Sequence, residues 1–385
     1  MSAPTATPPQ RPAGRKPRQL SGRPGLYTSY AQHLRLLNTR PKLVAVGAIL
    51  LLAFAMPWLA QDRTLSLLAL ACAASIGAIG LNIVTGYAGQ VSLGHAFFLA
   101  IGAYTAAVLS GDTDGRTIGF GVTNVVIWLL AAGLVAGLFG VLVAPLATRL
   151  RGLYLAIVTL GLVFIGEHVF KEWRDLTGGA GVGRPGPVPE LFGVNLASSG
   201  DVFTSDQKLY LLMLVCLVVF GVLARNLARS KVGRAFAAIR DRDIAASVIG
   251  VNLTRYKVVA FAVSSFYAGV AGALVYTITG FIEPTSFNLL LSVQYIAMVL
   301  IGGVATISGS IMGAFFITLL PALTRESPTI LPFISSDASA PLNVFQVETV
   351  LYGLLIIGFL IFEPRGLFGI WTRIRNYWKA WPFSY

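Results

Sequence analysis

Glycines and neutral polar side chains interrupt a long uncharged stretch of the sequence, residues 80–104. Glycine permits broken helices and close backbone approach. Transporters use such breaks to aim polar groups at a solute near the bilayer midplane. The pattern predicts a substrate pathway, or else close helix packing with a tight turn at 86–90. The candidate pathway residues are Asn82, Tyr87, Gly89, Gln90, Ser92 and His95.

A second glycine-containing stretch, residues 302–310, divides another uncharged run, and Gly302 and Gly303 therefore join the candidate pathway residues. The chain contains only three histidines and two cysteines, and both cysteines lie in apolar runs. This composition excludes a disulfide framework and predicts neither a metal site nor a cofactor. No nucleophile, carboxylate pair or metal cluster indicates catalysis, so we expect a protein that is not an enzyme.

A third informative segment, residues 232–257, combines strong helix formers with mixed charges. Residues 234–249 contain neither Pro nor Gly and predict one helix, with Gly250 at its C-terminal end. Phe236 and Ile239, and then Ile244 and Val248 one turn on, have the spacing of a single apolar face. The spacing fits either a helix that docks on a partner or an amphipathic helix at a membrane surface.

Composition requires that these segments be placed in a membrane. Only 12% of the residues are charged and the mean hydropathy is +0.74, whereas soluble domains carry about 25% charged residues. A spanning helix needs about 20 apolar residues, and the uncharged runs of this chain accommodate about ten. We therefore predict an all-α polytopic membrane protein. The runs are 43–61, 64–111, 117–148, 152–166, 209–224, 258–282, 284–324 and 349–362, with two helices in each of the two longest.

Charge distribution predicts the orientation. With the N-terminus inside, the inner segments hold 22 of the 29 Lys and Arg residues, as the positive-inside rule requires. This predicts an inner-membrane protein with both termini in the cytoplasm, and it explains the net charge of +13 through lipid rather than nucleic acid. The predicted domains are a disordered Pro-rich tail (1–42), a transmembrane domain (43–363) and a basic cytoplasmic tail (364–385), with an external loop at 171–208 and an inner segment at 225–257.

Neither of two common nucleotide-binding motifs predicts a nucleotide site in this chain. The chain contains no G-x-x-x-x-G-K-[ST] sequence, so it carries no ATP site of that type. Residues 181–186 match G-x-G-x-x-G, but prolines follow where a helix would have to begin. We therefore expect this segment to be an external loop.

Several long motifs in order resemble the branched-chain amino-acid ABC transporter permeases, in particular the M-type subunits of the high-affinity Leu/Ile/Val importers. They cover roughly residues 45–370 and include GLNIVTGYAGQVSLGHAFFLAIGAYTAA (80–107), RGLYLAIVTL (151–160), LTGG (176–179), GRAFAAIRDRDIAASVIGVNLTRYK (233–257), IGGVATISGSIMGA (301–314) and EPRGL (363–367). The chain departs from the family pattern where Ala180-Gly181-Val182 replaces the usual Ser-Asp-Gly, and its N-terminal tail is longer than usual.

The resemblance implies a permease subunit of an ATP-driven importer of branched-chain or similar hydrophobic amino acids. It implies as partners two cytoplasmic ABC ATPases, a second permease, an extracytoplasmic solute-binding protein and the lipid bilayer. The segment 233–250 is then similar to the helix through which such permeases couple to their ATPases. The residues implied in coupling are Arg234, Ala238, Arg240, Asp241, Asp243, Ala245, Ala246 and Gly250.

Two alternative transport functions remain at this point. A permease of a urea or short-chain amide ABC importer would resemble the same family but line its pathway with more polar groups. A proton-coupled secondary transporter would need a functional acid in the membrane, for which Glu167 beside His168 is the candidate pair.

Overall fold

A computed structural model of the chain describes residues 40–112, 116–150, 152–186, 189–199, 203–325 and 344–380. The described residues are mostly helical, as predicted, although they also include four strands of two residues each. The predicted disordered tail lies outside them except for residues 40–42, which belong to the first helix. The helices are α1 (Arg40–Leu59), α2 (Asp62–Asn82), α3 (His95–Ser110), α4 (Val125–Arg149), α5 (Leu153–Glu172), α6 (Arg174–Thr177), α7 (Ser205–Arg229), α8 (Lys231–Asp241), α9 (Asp243–Val248), α10 (Leu253–Thr279), α11 (Leu289–Gly302), α12 (Ile307–Arg325), α13 (Val344–Phe362) and α14 (Gly366–Ala380).

Six of the described helices are long and apolar enough to cross a membrane. They span Asp62–Tyr87, Val125–Arg149, Leu153–Glu172, Ser205–Arg229, Leu253–Thr279 and Pro284–Gly302. Three shorter apolar helices lie at Leu43–Leu59, His95–Ser110 and Ile307–Ala322. Both of the longest uncharged runs contain two helices separated by a break, as expected, while the total of about ten crossings stays a prediction.

The chain forms two compact units, and the boundary between them lies within α1, between Leu52 and Ala53. In the first unit the described side chains are those at the start of α1, among which Leu43, Val44 and Leu51 are exposed. The second unit, Ala53–Tyr385, contains the other helices.

Helix α10 lies at the centre of the second unit, packed against α4, α3 and α2, while α2 also contacts α12 and α7. Small residues permit these close contacts: a Cβ added at Gly102 of α3 would collide with the backbone of Gly269 in α10. Helices at the margin instead expose apolar side chains at a spacing of four residues, as on α4 at Leu134, Leu138 and Leu142. Such a stripe is what lipid contact requires of a spanning helix.

Polar residues define where several helices begin. The Asn124 side chain accepts a hydrogen bond from the Val126 amide at the start of α4. Thr204 and Gln207 form a reciprocal capping box at the start of α7, and Asn252 caps α10. These side chains satisfy backbone donors that a helix leaves unpaired at its N-terminus.

The two ends of the bundle differ. One end, which we call the break end, carries residues 83–94, the α8–α9 segment, residues 303–306 and the start of α14, because Arg240 contacts Gly86 and Asn82 contacts Thr306. The opposite loop end carries the short strands β1 (Arg184–Pro185), β2 (Glu190–Leu191), β3 (Val194–Asn195) and β4 (Phe281–Ile282). Under the predicted orientation, the break end faces the cytoplasm.

The G-x-G-x-x-G segment lies at the loop end and contains β1, which pairs antiparallel with β4. Arg184 is 1% exposed and donates hydrogen bonds to the carbonyl oxygens of Leu176 (2.9 Å) and Ile118 (2.6 Å). Burial lowers the pKa of this guanidinium. The segment is thus tied to its surroundings by a buried arginine. Among the described residues that follow it, short strands rather than a helix come next.

Candidate functional site

The two glycine-containing stretches of the sequence meet at the break end. After Asn82 the α2 helix passes into a π-helical turn, Ile83–Tyr87, and residues 88–94 are not helical before α3 begins. Likewise, α11 ends at Gly302 and α12 begins at Ile307. Gly303 has a φ of 126°, a backbone conformation that glycine adopts without steric cost. We call residues 83–94 and 303–306 the paired breaks.

Asn82 joins the paired breaks through its side chain. Its Nδ2 donates hydrogen bonds to the Thr306 carbonyl oxygen (3.0 Å) and to Ser310 Oγ (2.7 Å), and its Oδ1 accepts one from the Ala305 amide (2.9 Å). The residue is 1% exposed. Asn82 was predicted as a pathway residue. In this structure the polar atoms of its side chain are hydrogen-bonded to the second stretch, so Asn82 links the two stretches.

Gln90 and His95 retain unsatisfied polar atoms. Both amide atoms of Gln90 and Nε2 of His95 are buried without a hydrogen-bond partner among the described residues. The His95 ring lies 4.9 Å from the Tyr295 ring, centroid to centroid. Because a buried polar atom without a partner costs free energy, these two side chains are the strongest candidates for contact with a solute or water.

The other predicted pathway residues have partners within the protein. The Tyr87 side chain lies beside the backbone of Ile307, and Ser92 Oγ accepts a bond of 3.4 Å from the Gly94 amide. Gly302 lies against the backbone of Gly309 in the next helix. None of these contacts requires a solute.

Helices α8 and α9 form the predicted coupling segment, but not as the single helix expected over 234–249. At Arg242 the backbone is extended (φ −156°, ψ 98°), which ends α8 and redirects α9. The predicted single apolar face was therefore wrong. Phe236 and Ile239 are buried in the bundle, whereas Ile244 and Val248 are 70% and 81% exposed.

Arg240 connects the coupling segment to the first break. Its Nη1 donates to the Gly86 carbonyl oxygen (3.2 Å), and its Nη2 lies 3.0 Å from Asp241 Oδ1. Gly89, with a φ of 69°, lies so close that an added Cβ would approach Arg240 Cγ to 2.8 Å. Movement of α8 would therefore act directly on the turn at 86–90.

The other predicted coupling residues divide between the two sides of this segment. Ala246 is 2% exposed and Ala238 is partly buried, whereas Arg234, Asp241 and Ala245 are exposed. Gly250 follows α9 with a φ of 91°, and the space around it is open. Its predicted position just beyond a helix end is confirmed, and a residue with a Cβ would be strained there.

A cleft of about 300 Å³ lies between the first break and the coupling segment. It brings together residues that the sequence separates widely, including Gln90, Asp243 and Lys257, a buried lysine of α10 that sequence reasoning did not select. The complete lining is Ala88, Gly89, Gln90, Leu150, Gly152, Leu155, Ile239, Arg240, Asp241, Arg242, Asp243 and Lys257.

Three further residues were missed by sequence reasoning. Thr306 and Ser310 belong to the second glycine-containing stretch. Their spacing of four residues places both on one side at the start of α12, which is the signal that could have identified them as partners of Asn82. Tyr295, beside His95, had no such signal because α11 reads as a plain apolar helix. In the described residues no group of three His, Cys, Asp or Glu side chains could hold a metal ion.

Glu167, the candidate for proton coupling, has a simple partner. Its Oε1 accepts a 2.7 Å bond from Lys171 one turn later in α5. The pair lies near the loop end, far along the helix from the paired breaks. The structure therefore favours a surface ion pair over a proton relay through this side chain.

Comparison with known proteins connects this architecture to transport. The model of the branched-chain amino acid transport system permease component family matches residues 63–360. The chain is 33% identical to the high-affinity branched-chain amino acid transport system permease protein LivM of Escherichia coli (strain K12), over 83% of this chain and 73% of that protein. No solved structure matches the chain.

Two further relatives are more distant. The permease protein LivH of the high-affinity branched-chain amino acid transport system of Escherichia coli (strain K12) is 23% identical over 76% of this chain and 90% of that protein. The autoinducer 2 import system permease protein LsrC of Yersinia pestis (strain Pestoides F) is 28% identical, over 72% of each chain.

Proposed function

The chain belongs to the permease component family of branched-chain amino acid transport systems, and we propose that it is one membrane subunit of an ATP-driven importer of branched-chain or similar hydrophobic amino acids. The observation that carries the mechanism is the contact between Arg240 of α8 and Gly86 of the first break. Through it, a segment exposed at the break end acts on a discontinuous membrane helix. We propose about ten crossings, in the inner membrane, with both termini in the cytoplasm.

The substrate class follows from the relatives. LivM and LivH are both named as permease proteins of a high-affinity branched-chain amino acid system, and LivM shares more residues with this chain than LsrC does. That two such permeases carry the name of one system supports a second permease as partner. A solute-binding protein would dock at the loop end, where Arg184 holds the external segment in place.

Helix α9 supplies the docking surface for the ATPases. Ile244, Val248 and Ile249 are 70%, 81% and 76% exposed, and they lie beside the charged residues implied in coupling. An exposed apolar patch with a polar rim is typical of a protein interface. ATP binding can shift the permease between outward and inward access only if contacts with this surface differ between the two states.

The test uses the chain expressed with its partner subunits. The variant I244D/V248D places two carboxylates in the proposed interface, so we expect the ATPase subunits to be lost on purification and ATP-dependent leucine uptake into proteoliposomes to cease. The control V194D introduces the same side chain at an exposed position of the loop end and should retain the ATPases. Normal ATPase binding and uptake in I244D/V248D would refute the docking surface, and leucine uptake by the chain alone would refute an ATP-driven subunit.

A further inference from the structure

Helix α14 follows the last apolar helix where a basic tail was expected, and one of its faces is apolar and exposed. Trp371, Ile374 and Trp378 are 53%, 47% and 72% exposed. Their spacing of three and four residues places them in one stripe along the helix. Ile370 and Tyr377, also exposed, widen the stripe.

The opposite face of α14 is polar and basic. It carries Arg373 and Asn376, both exposed, with Arg375 at the boundary between the two faces. Arg373 forms an ion pair of 2.9 Å with Glu363, but its side chain remains 75% exposed. Tryptophan and tyrosine on one face with arginine beside them is typical of helices that lie at a membrane surface.

The position of α14 connects this stripe to the lipid-exposed surface of the bundle. The preceding helix α13 exposes Leu354, Ile357 and Ile361 on its outer side, and only a short turn separates α13 from α14. The start of α14 is packed firmly: Gly366 leaves no room for a Cβ, which would come within 2.5 Å of the Ile301 carbonyl oxygen. The helix is therefore held against the end of α11, beside the second break.

We propose that α14 lies in the plane of the membrane surface, with its aromatic stripe in the boundary between headgroups and acyl chains and its arginines on anionic lipid headgroups. The exposed apolar stripe requires a cover, and its continuity with the lipid-facing side of α13 identifies lipid as that cover. The arginines beside it select negatively charged headgroups. This inference goes beyond the transport function and requires only that the bundle is in a membrane.

The first test measures the depth of two neighbouring positions. Nitroxide labels are attached at I374C and at N376C in a C72A/C216A background, in the complete complex reconstituted in nanodiscs of phosphatidylcholine and phosphatidylglycerol. We expect the ratio of oxygen to aqueous nickel-chelate collisions to be severalfold higher at position 374 than at position 376. Equal, water-like ratios would overturn the proposal. A label at 374 shielded from both reagents would overturn it too, because it would show that protein covers the stripe.

The second test measures the headgroup preference. The collision ratio at position 374 is followed as phosphatidylglycerol is raised from none to an equimolar mixture. In R373Q/R375Q, each arginine removed should weaken the response of this collision ratio to anionic lipid by about fivefold. The control R63Q/R116Q removes two exposed charges at the loop end and should leave the response unchanged. An equal response in both variants would overturn the role of the arginines, since neither substitution alters the apolar stripe.

Discussion

The link between the paired breaks makes a quantitative prediction for the variant N82A. Asn82 makes three hydrogen bonds to residues of the second break and the start of α12. Hydrogen bonds within membrane proteins contribute about 0.6 kcal/mol on average and at most about 1.7. We therefore expect N82A to lower the free energy of unfolding by about 2–5 kcal/mol, with loss of uptake because the two breaks are no longer held together.

The assay is thermal unfolding of the purified complex, combined with uptake in proteoliposomes. The control S75A removes a buried hydroxyl from the same helix, and within the described part of the chain that hydroxyl bonds only the Ala71 carbonyl oxygen one turn away. Its effect should be about 1 kcal/mol or less. Because Ser310 is a direct partner of Asn82, the effects of N82A and S310A should not add in the double variant. If N82A unfolds like S75A and transports normally, or if the two effects are additive, the linking role of Asn82 is refuted.

Two further predictions concern packing and the loop end. In G102V the new side chain would collide with the backbone of Gly269, so we expect loss of folded protein by size-exclusion chromatography. The control G161V, with open space around it, should behave like the parent. Equal yields of the two variants would contradict the close contact between α3 and α10. The Gly181 amide donates to the Glu283 carboxylate (3.0 Å) and lowers its pKa, so this contact stabilises the loop above the ordinary pKa of 4.5 and fades as the pH falls through the lowered value. In the parent chain, pepsin should therefore cleave the loop that contains Gly181 faster as the pH falls. In E283Q the carboxylate is absent, so cleavage should already be fast at pH 5. If E283Q and the parent have the same pH profile, this contact is excluded as the cause.

Local sequence pattern was sufficient where lipid imposes the constraint. A spanning segment must satisfy its backbone internally, so charge-free runs located the apolar helices, and glycines within the two longest runs located their breaks. The end of the coupling helix at Gly250 was also predictable, because a residue with positive φ commonly follows a helix terminus. Family motifs then identified the kind of protein, which the comparisons confirmed.

Pattern was insufficient where the direction of an element depends on one backbone angle. The apolar spacing of Phe236, Ile239, Ile244 and Val248 implied one face only if the helix continued. The extended backbone at Arg242 separates a buried half from an exposed half. Helix α14 was missed for a related reason, since its three basic residues within a C-terminal segment read as a tail unless the exposure of its tryptophans is known.

The amino-acid sequence by itself determined which segments form apolar helices and where the two longest uncharged runs are interrupted, because hydrophobicity and charge act on each segment separately. Only the tertiary structure decided that Asn82 reaches Ser310, 228 residues away, and that Arg240 reaches Gly86, 154 residues away. A hydrogen bond requires its two atoms within about 3 Å, and the distance between such remote residues depends on how all the intervening helices pack.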